Sequence, residues 1–222
     1  MRFPVFRLLR RPHRPERHIG YFALLEALTK PGCAICRRQA EGARKALEAL
    51  FYESVNDSRT REHLRRSGGF CKEHARLAAA LGDPLGLSII YRDLVAWYRV
   101  AEGPHSVAPC PVCEACKVTE RITLEVCSTH WDDAILQERL QHADLLCRHH
   151  LERLLAIVPK GSKREHLRCW AKDRLRALAD DMDAFVQHAR NGSSESVAKR
   201  EADAWKSAMA FFAGGGALEV EG

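Results

Sequence analysis

No apolar run in the sequence approaches the roughly 18–20 residues that a membrane-spanning helix requires, so no transmembrane segment is expected. No stretch alternates apolar and polar residues convincingly, and no β-strand is expected either. The N-terminal Met1-Arg2-Phe3-Pro4-Val5-Phe6-Arg7-Leu8-Leu9-Arg10-Arg11 is broken by arginine too often for a signal-peptide core, and no small-residue cleavage site follows. The expected location is therefore the cytoplasm. There is also no nucleophile elbow, no phosphate-binding glycine loop, no zinc-protease motif and no Cys-x2-Cys-His haem attachment site. With no catalytic constellation, the chain reads as a non-enzyme.

Basic residues are scarce in excess outside the first segment. Of a formal net charge of +6, residues 1–18 carry +5, from six arginines and Glu16. The remaining 204 residues are close to neutral. A folded basic face for nucleic acid is thus not expected, and a protein is the favoured macromolecular partner. The arginine segment, interrupted by Pro4, Pro12 and Pro15, reads as a flexible solvated arm over 1–17.

What the chain does have is cysteine. Nine cysteines in 222 residues is many for an intracellular protein, and the odd number argues against a complete disulfide framework. Their spacing repeats. Cys33-Ala34-Ile35-Cys36 is followed, after 34 intervening residues, by Cys71-Lys72-Glu73-His74. Cys110-Pro111-Val112-Cys113 is followed, after 33, by Cys147-Arg148-His149-His150. Three thiolates and one imidazole make a closed tetrahedral Zn2+ site. The expectation is two zinc ions, one on Cys33, Cys36, Cys71 and His74 and one on Cys110, Cys113, Cys147 and His150. A Cys and a His at i and i+3 share a helix face. In the first turn of a helix, unpaired N–H groups favour the thiolate. The intervening residues are read as a two-helix excursion that returns to its start.

Periodicity supports an all-α fold. Helices are expected over about 18–30, 37–55, 59–67, 71–81 and 86–101, with breaks at Pro31-Gly32, Asn56-Asp57-Ser58, Gly68-Gly69, Gly82-Asp83-Pro84 and Gly103-Pro104. The second stretch repeats the plan over about 112–130, 133–144 and 147–157. A long amphipathic helix, 162–190, follows, then a linker at Asn191-Gly192-Ser193-Ser194 and a last helix capped by Ser194. A loose tail is expected from Gly214. The copies align beyond their ligands: Arg44 with Arg121, Leu47-Glu48 with Leu124-Glu125, and Ala78 with Leu154. We therefore read an internal duplication, with repeats over 18–103 and 104–190 and a C-terminal helix and tail over 191–222. Two pseudo-equivalent helical halves would share a core, each pinned by its own Cys3His site.

Other residues compete for attention. Cys116 completes a Cys-x2-Cys-x2-Cys run that suits an iron–sulfur cluster, the alternative to zinc, but its counterpart in the first copy is Gln39. Cys127 and His130 form a further Cys-x2-His, read as a buried thiol and a half-exposed imidazole. Cys169 is read as core, and His149 as a solvated neighbour of His150. A thiol oxidoreductase would explain the Cys-x2-Cys pairs but not the Cys-x2-His pairs.

The chain resembles a family of uncharacterised bacterial proteins. The resemblance rests on Tyr21-Phe22-x-Leu24-Leu25-x-Ala27-Leu28, Gly32-Cys33-x2-Cys36, Phe51-Tyr52-Glu53-x-Val55-Asn56-Asp57 and Gly69-Phe70-Cys71-x2-His74-Ala75. It continues through Gly82-Asp83-x-Leu85-Gly86-Leu87-x-Ile89-x-Tyr91-Arg92-Asp93-Leu94 and Cys110-Pro111-x-Cys113, with a more divergent Leu146-Cys147-x2-His150. It implies the repeat and the ligands, and no activity. Glu53, Asn56, Asp57, Tyr91, Arg92 and Asp93 lie in these stretches. They are read as helix caps and surface ion pairs rather than as a polar cleft. The functional expectation is a non-catalytic, zinc-stabilised helical accessory protein, with an iron–sulfur or thiol-based redox accessory protein as the alternative.

Overall fold

A computed structural model describes residues 16–101, 108–191 and 198–214. Most of the expected arginine arm, the Gly103-Pro104 break, the Gly192-Ser193-Ser194 linker with its capping Ser194, and the tail beyond Gly214 lie outside the described residues. All regular elements among the described residues are helical. Ten α-helices run in order: α1 Ile19–Ala27, α2 Ala34–Ala49, α3 Ser58–Ser67, α4 Lys72–Leu81, α5 Pro84–Tyr98, α6 Pro111–Thr129, α7 Ala134–His142, α8 Arg148–Ile157, α9 Ser162–Asn191 and α10 Lys199–Ala213. The expected second helix changes character near its end, where Leu50–Ser54 forms a π-helical turn.

Local chemistry sets these boundaries. Asp57 caps α3 by accepting from the Thr60 N–H, and Asp83 caps α5 by accepting from Gly86. Gly68 and Gly82 end α3 and α4 in the left-handed conformation, which costs a residue without Cβ little. Asp133 caps α7 through the N–H groups of Ile135 and Leu136. The last helix starts later than expected, at Lys199, and Ala198 offers no side-chain cap.

The centre of the molecule is the packing of α2 on α6. Ala34 and Ile35 at the start of α2 share a core with Leu124 and Cys127 near the end of α6. Ala43, Leu47 and Leu50 share a second core with Val112 at the start of α6. The two helices are therefore antiparallel, and their N-termini lie at opposite ends of the pair. They touch closely where they cross: a Cβ placed on Gly42 would meet Thr119 Oγ1 at 2.5 Å.

Each end of the pair anchors one core. The first gathers Tyr21, Leu24, Trp131, Leu136, Leu140, Leu154, Leu167 and Phe211 from α1 and the α7–α10 region. The second gathers Leu64, Phe70, Ala78, Ile90 and Leu94 from α3, α4 and α5. Hence α1 and the start of α2 pack with the later helices, while the start of α6 packs with the earlier ones.

Two candidate metal centres

Each of the four cysteine pairs begins at a helix start. Cys33, Cys71, Cys110 and Cys147 are the N-cap residues of α2, α4, α6 and α8. Cys36, His74, Cys113 and His150 follow in the first turn. Two groups of four could each hold an ion, with ligand atoms all within 4.8 Å of one another. They are not the expected groups. Cys33 and Cys36 meet Cys147 and His150, and Cys110 and Cys113 meet Cys71 and His74. The eight residues are those read from the sequence, but the copies exchange partners.

Helix length explains the exchange. The 16 residues of α2 carry the chain about 24 Å outward, whereas the 10 residues of α3 recover only about 15 Å. Helix α3 thus ends short of the start of α2, and Gly68, which turns in the left-handed conformation, does not carry the chain back to it. Cys71 emerges near the far end of α2, where antiparallel packing has placed the N-terminus of α6. The second copy behaves alike, with 19 residues in α6 and 9 in α7.

Backbone contacts fix each meeting. The Gly32 N–H donates to Asp144 Oδ2 at 2.6 Å, tying the lead-in to Cys33 to the loop before Cys147. At the other end the Ala108 N–H donates to the Arg66 carbonyl at 3.1 Å, and His63 Nε2 donates to the Pro109 carbonyl at 3.2 Å.

In the first centre, His150 Nδ1 lies 3.4 Å from Cys33 Sγ, 3.3 Å from Cys36 Sγ and 3.1 Å from Cys147 Sγ, and the sulfurs of Cys36 and Cys147 are 3.7 Å apart. In the second, His74 Nδ1 lies 3.1 Å from Cys71 Sγ, 3.7 Å from Cys110 Sγ and 3.3 Å from Cys113 Sγ, with Cys71 and Cys113 sulfurs 3.6 Å apart. Both imidazoles thus present Nδ1 to their thiols.

Two thiols at helix starts, Cys147 and Cys71, are held below the ordinary thiol range. Contacts with the Cys33 and Cys36 thiols hold Cys147 well below the ordinary thiol range, against the penalty of burial, and the backbone N–H of His150 assists. Burial opposes ionisation of Cys71, but the backbone N–H of His74 and the Cys113 and Cys110 thiols pull it down. Burial and the neighbouring Cys71 thiol push Cys113 up to about 12. Burial alone would lower His150; its contacts with Cys147 and Cys33 raise it to about 9.

The far sides of the two imidazoles differ, and one of the residues involved was not read from the sequence. Glu120 is buried on α6, and its Oε1 lies 3.2 Å from His150 Nε2. The same oxygen lies 2.7 Å from Arg153 Nη1 and 3.4 Å from His149 Nε2, ion-pair contacts without hydrogen-bond alignment, so His149 has a charged neighbour despite its exposure. Glu120, His149 and His150 form a third group of potential ligands. Arg153 already supplies the positive charge there. The sequence offered one partial signal for Glu120, an acid at helical spacing from Leu124 and Cys127, which α6 buries. Behind His74 sits Cys116, whose Sγ is 3.6 Å from Nε2 and 3.7 Å from the Gln39 carbonyl.

The remaining candidates belong to neither group of four. Cys127 is buried, and its burial pushes the thiol up to about 12. His130 is also buried, not half-exposed, because its ring packs on Tyr21 with centroids 4.7 Å apart. Cys169, expected in the core, is exposed on α9. Asp57 is the cap of α3, Asp93 pairs with Arg65 at 2.7 Å, and Glu53 is exposed. These residues line no common cleft with Tyr91 and Arg92.

No family model matches the chain, and no solved structure matches it. It is similar to an uncharacterized 23.9 kDa protein in the xynA 3' region of Caldicellulosiruptor sp. (strain Rt8B.4), 34% identical over 76 residues. The match covers 34% of this chain and 37% of that protein. The class defined by fold and site is thus an all-helical, cysteine-rich protein with two Cys/His groups able to hold metal. Among the described residues no helix is long and apolar enough to cross a membrane.

Proposed function

We propose that the protein is a zinc-stabilised, non-catalytic helical protein of the cytoplasm that acts by binding another macromolecule. One observation carries this reading: each group brings three thiols and an imidazole within 4.8 Å of one another, a span that one ion can bridge. Around one tetrahedral zinc, with Zn–S of about 2.3 Å and Zn–N of about 2.0–2.1 Å, neighbouring donors stand roughly 3.5–3.8 Å apart. The sulfur–sulfur separations of 3.6 and 3.7 Å match that spacing. An iron–sulfur cluster spreads its cysteines over several irons and calls for wider separations. Three thiols and an imidazole complete the shell, leaving no position for substrate.

The matched order of helix starts supports two duplicated repeats, 18–103 and 104–190, with an arm before them and a helix and tail after. The near-neutral body supports a protein rather than a nucleic acid as partner. The outer side of α5, where Val95 and Tyr98 are exposed, adds apolar surface of the kind that proteins bind.

Elemental mass spectrometry with a visible spectrum, on protein purified without oxygen, tests the reading. Two zinc ions per chain and no colour are expected. Iron with a broad band near 400 nm, of the kind iron–sulfur clusters give, would replace it with a redox role.

A further inference from the structure

We infer that the two centres are unequal: the Cys33–Cys36–Cys147–His150 centre holds its ion permanently, and the Cys71–His74–Cys110–Cys113 centre exchanges its ion. This inference rests on the metal-binding reading and adds a regulatory property to it. Three observations carry it independently.

Access to solvent differs. In the first centre Cys33, Cys147 and His150 are 2%, 1% and 2% exposed and Cys36 is half-buried. Helix α10 covers this end: Phe211 enters its core, and a Cβ on Gly214 would lie 3.9 Å from Cys147 Sγ. In the second centre only Cys110 is buried, and Cys71, His74 and Cys113 are half-buried.

Support of the histidines differs as well. A metal on Nδ1 leaves Nε2 carrying the proton, and the group that receives this N–H orients the ring and raises its basicity. At His150 the buried Glu120 carboxylate stands opposite, 3.2 Å from Nε2 and 2.7 Å from Arg153, a charged contact whose atoms are not aligned as a hydrogen bond. At His74 the group opposite is the Cys116 sulfur at 3.6 Å, a neutral weak acceptor whose own proton points to the Gln39 carbonyl. Losing such outer support typically costs 10–100-fold in metal affinity.

The pseudo-equivalent positions show that this asymmetry is built in. The residue of α2 corresponding to Glu120 is Ala43, and the one corresponding to Cys116 is Gln39. Neither centre could borrow the other's support. Glu120 is accordingly a positioning residue, acting on the metal through His150.

The test uses metal-loaded full-length protein, titrated with a zinc chelator while an alkylating reagent labels freed thiols for mass spectrometry. The first equivalent of metal is expected to leave at a chelator concentration at least tenfold lower than the second. Labels should appear on Cys71, Cys110 and Cys113 while Cys33, Cys36 and Cys147 stay protected. Glu120→Gln is expected to draw release from the first centre 10–100-fold toward that of the second, and Cys116→Ser is expected to leave the order unchanged. Simultaneous release, or release of the Cys33 centre first, overturns the inequality and leaves the metal reading intact. Protein that arrives without metal, with all six of these thiols labelled before any chelator is added, overturns both.

Discussion

Asp133 collects more interactions than its place at a helix start requires. Besides capping α7 it accepts from the Tyr21 hydroxyl at 2.7 Å and from Arg17 at 2.6 Å, and Arg17 lies over the Tyr21 ring. Burial works against its charge, but these donors, Arg17 first, hold its carboxyl well below the ordinary 3.8. The unfolded chain therefore takes up the proton first as pH falls. The stabilisation is complete above about pH 4 and declines as pH drops toward the folded value. Asp133→Asn should cost about 1–2 kcal/mol at neutral pH, through the weakened cap and the Tyr21 hydroxyl. The gap in melting temperature between wild type and variant should shrink from pH 7 to pH 3; a constant gap would refute the assignment. A second prediction concerns thiols outside the centres. Under native alkylation Cys169 should label first and Cys127 last, since one is exposed and the other is a buried neutral thiol.

At the scale of elements, the contact between α2 and α6 is set by one small residue. Gly42→Val would drive its side chain into Thr119, whose Oγ1, Cβ and Cγ2 all stand within 3.2 Å of the place a Cβ would occupy. The expected loss is about 1–3 kcal/mol, read by denaturant unfolding, and a variant as stable as wild type would show that the helices part freely. The helices themselves were largely legible in the sequence. Asp57, Gly68, Gly82 and Asp133 act through interactions with their own neighbours, so their positions mark boundaries directly. The eight ligand candidates were legible for the same reason, since two-residue spacing is a local property. Their grouping was not, because it depends on how α2 and α6 lie against each other. The expected spans of 37–55 and 59–67, unequal in length, were the one hint that the second of them ends short of Cys33. Glu120's helical spacing was legible, but its partners His150 and Arg153 lie on α8, which the local sequence of α6 does not reveal.

For the whole molecule, the crossed grouping makes a prediction that sequence order alone would reverse. Ligand losses within one centre should be far from additive, because the first already releases the ion. Cys71→Ser combined with Cys113→Ser should cost little more than either alone, while Cys71→Ser combined with Cys36→Ser should cost the sum. Equilibrium unfolding of the metal-loaded variants measures both cycles. Additivity in the first pair and its absence in the second would restore the within-copy grouping.

The same crossing imposes an order of events on a chain made from its N-terminus. The donors Cys71, His74, Cys110 and Cys113 are all present once residue 113 has left the ribosome. Cys33 and Cys36, though synthesised first, have no complete shell until His150 appears. With metal in both groups, Cys33 and Cys36 would be protected only after the second group is complete, across an interval of more than a hundred residues. At about 5–20 residues per second this leaves them open for roughly 5–20 seconds, a window in which oxidants or stray metals can reach them.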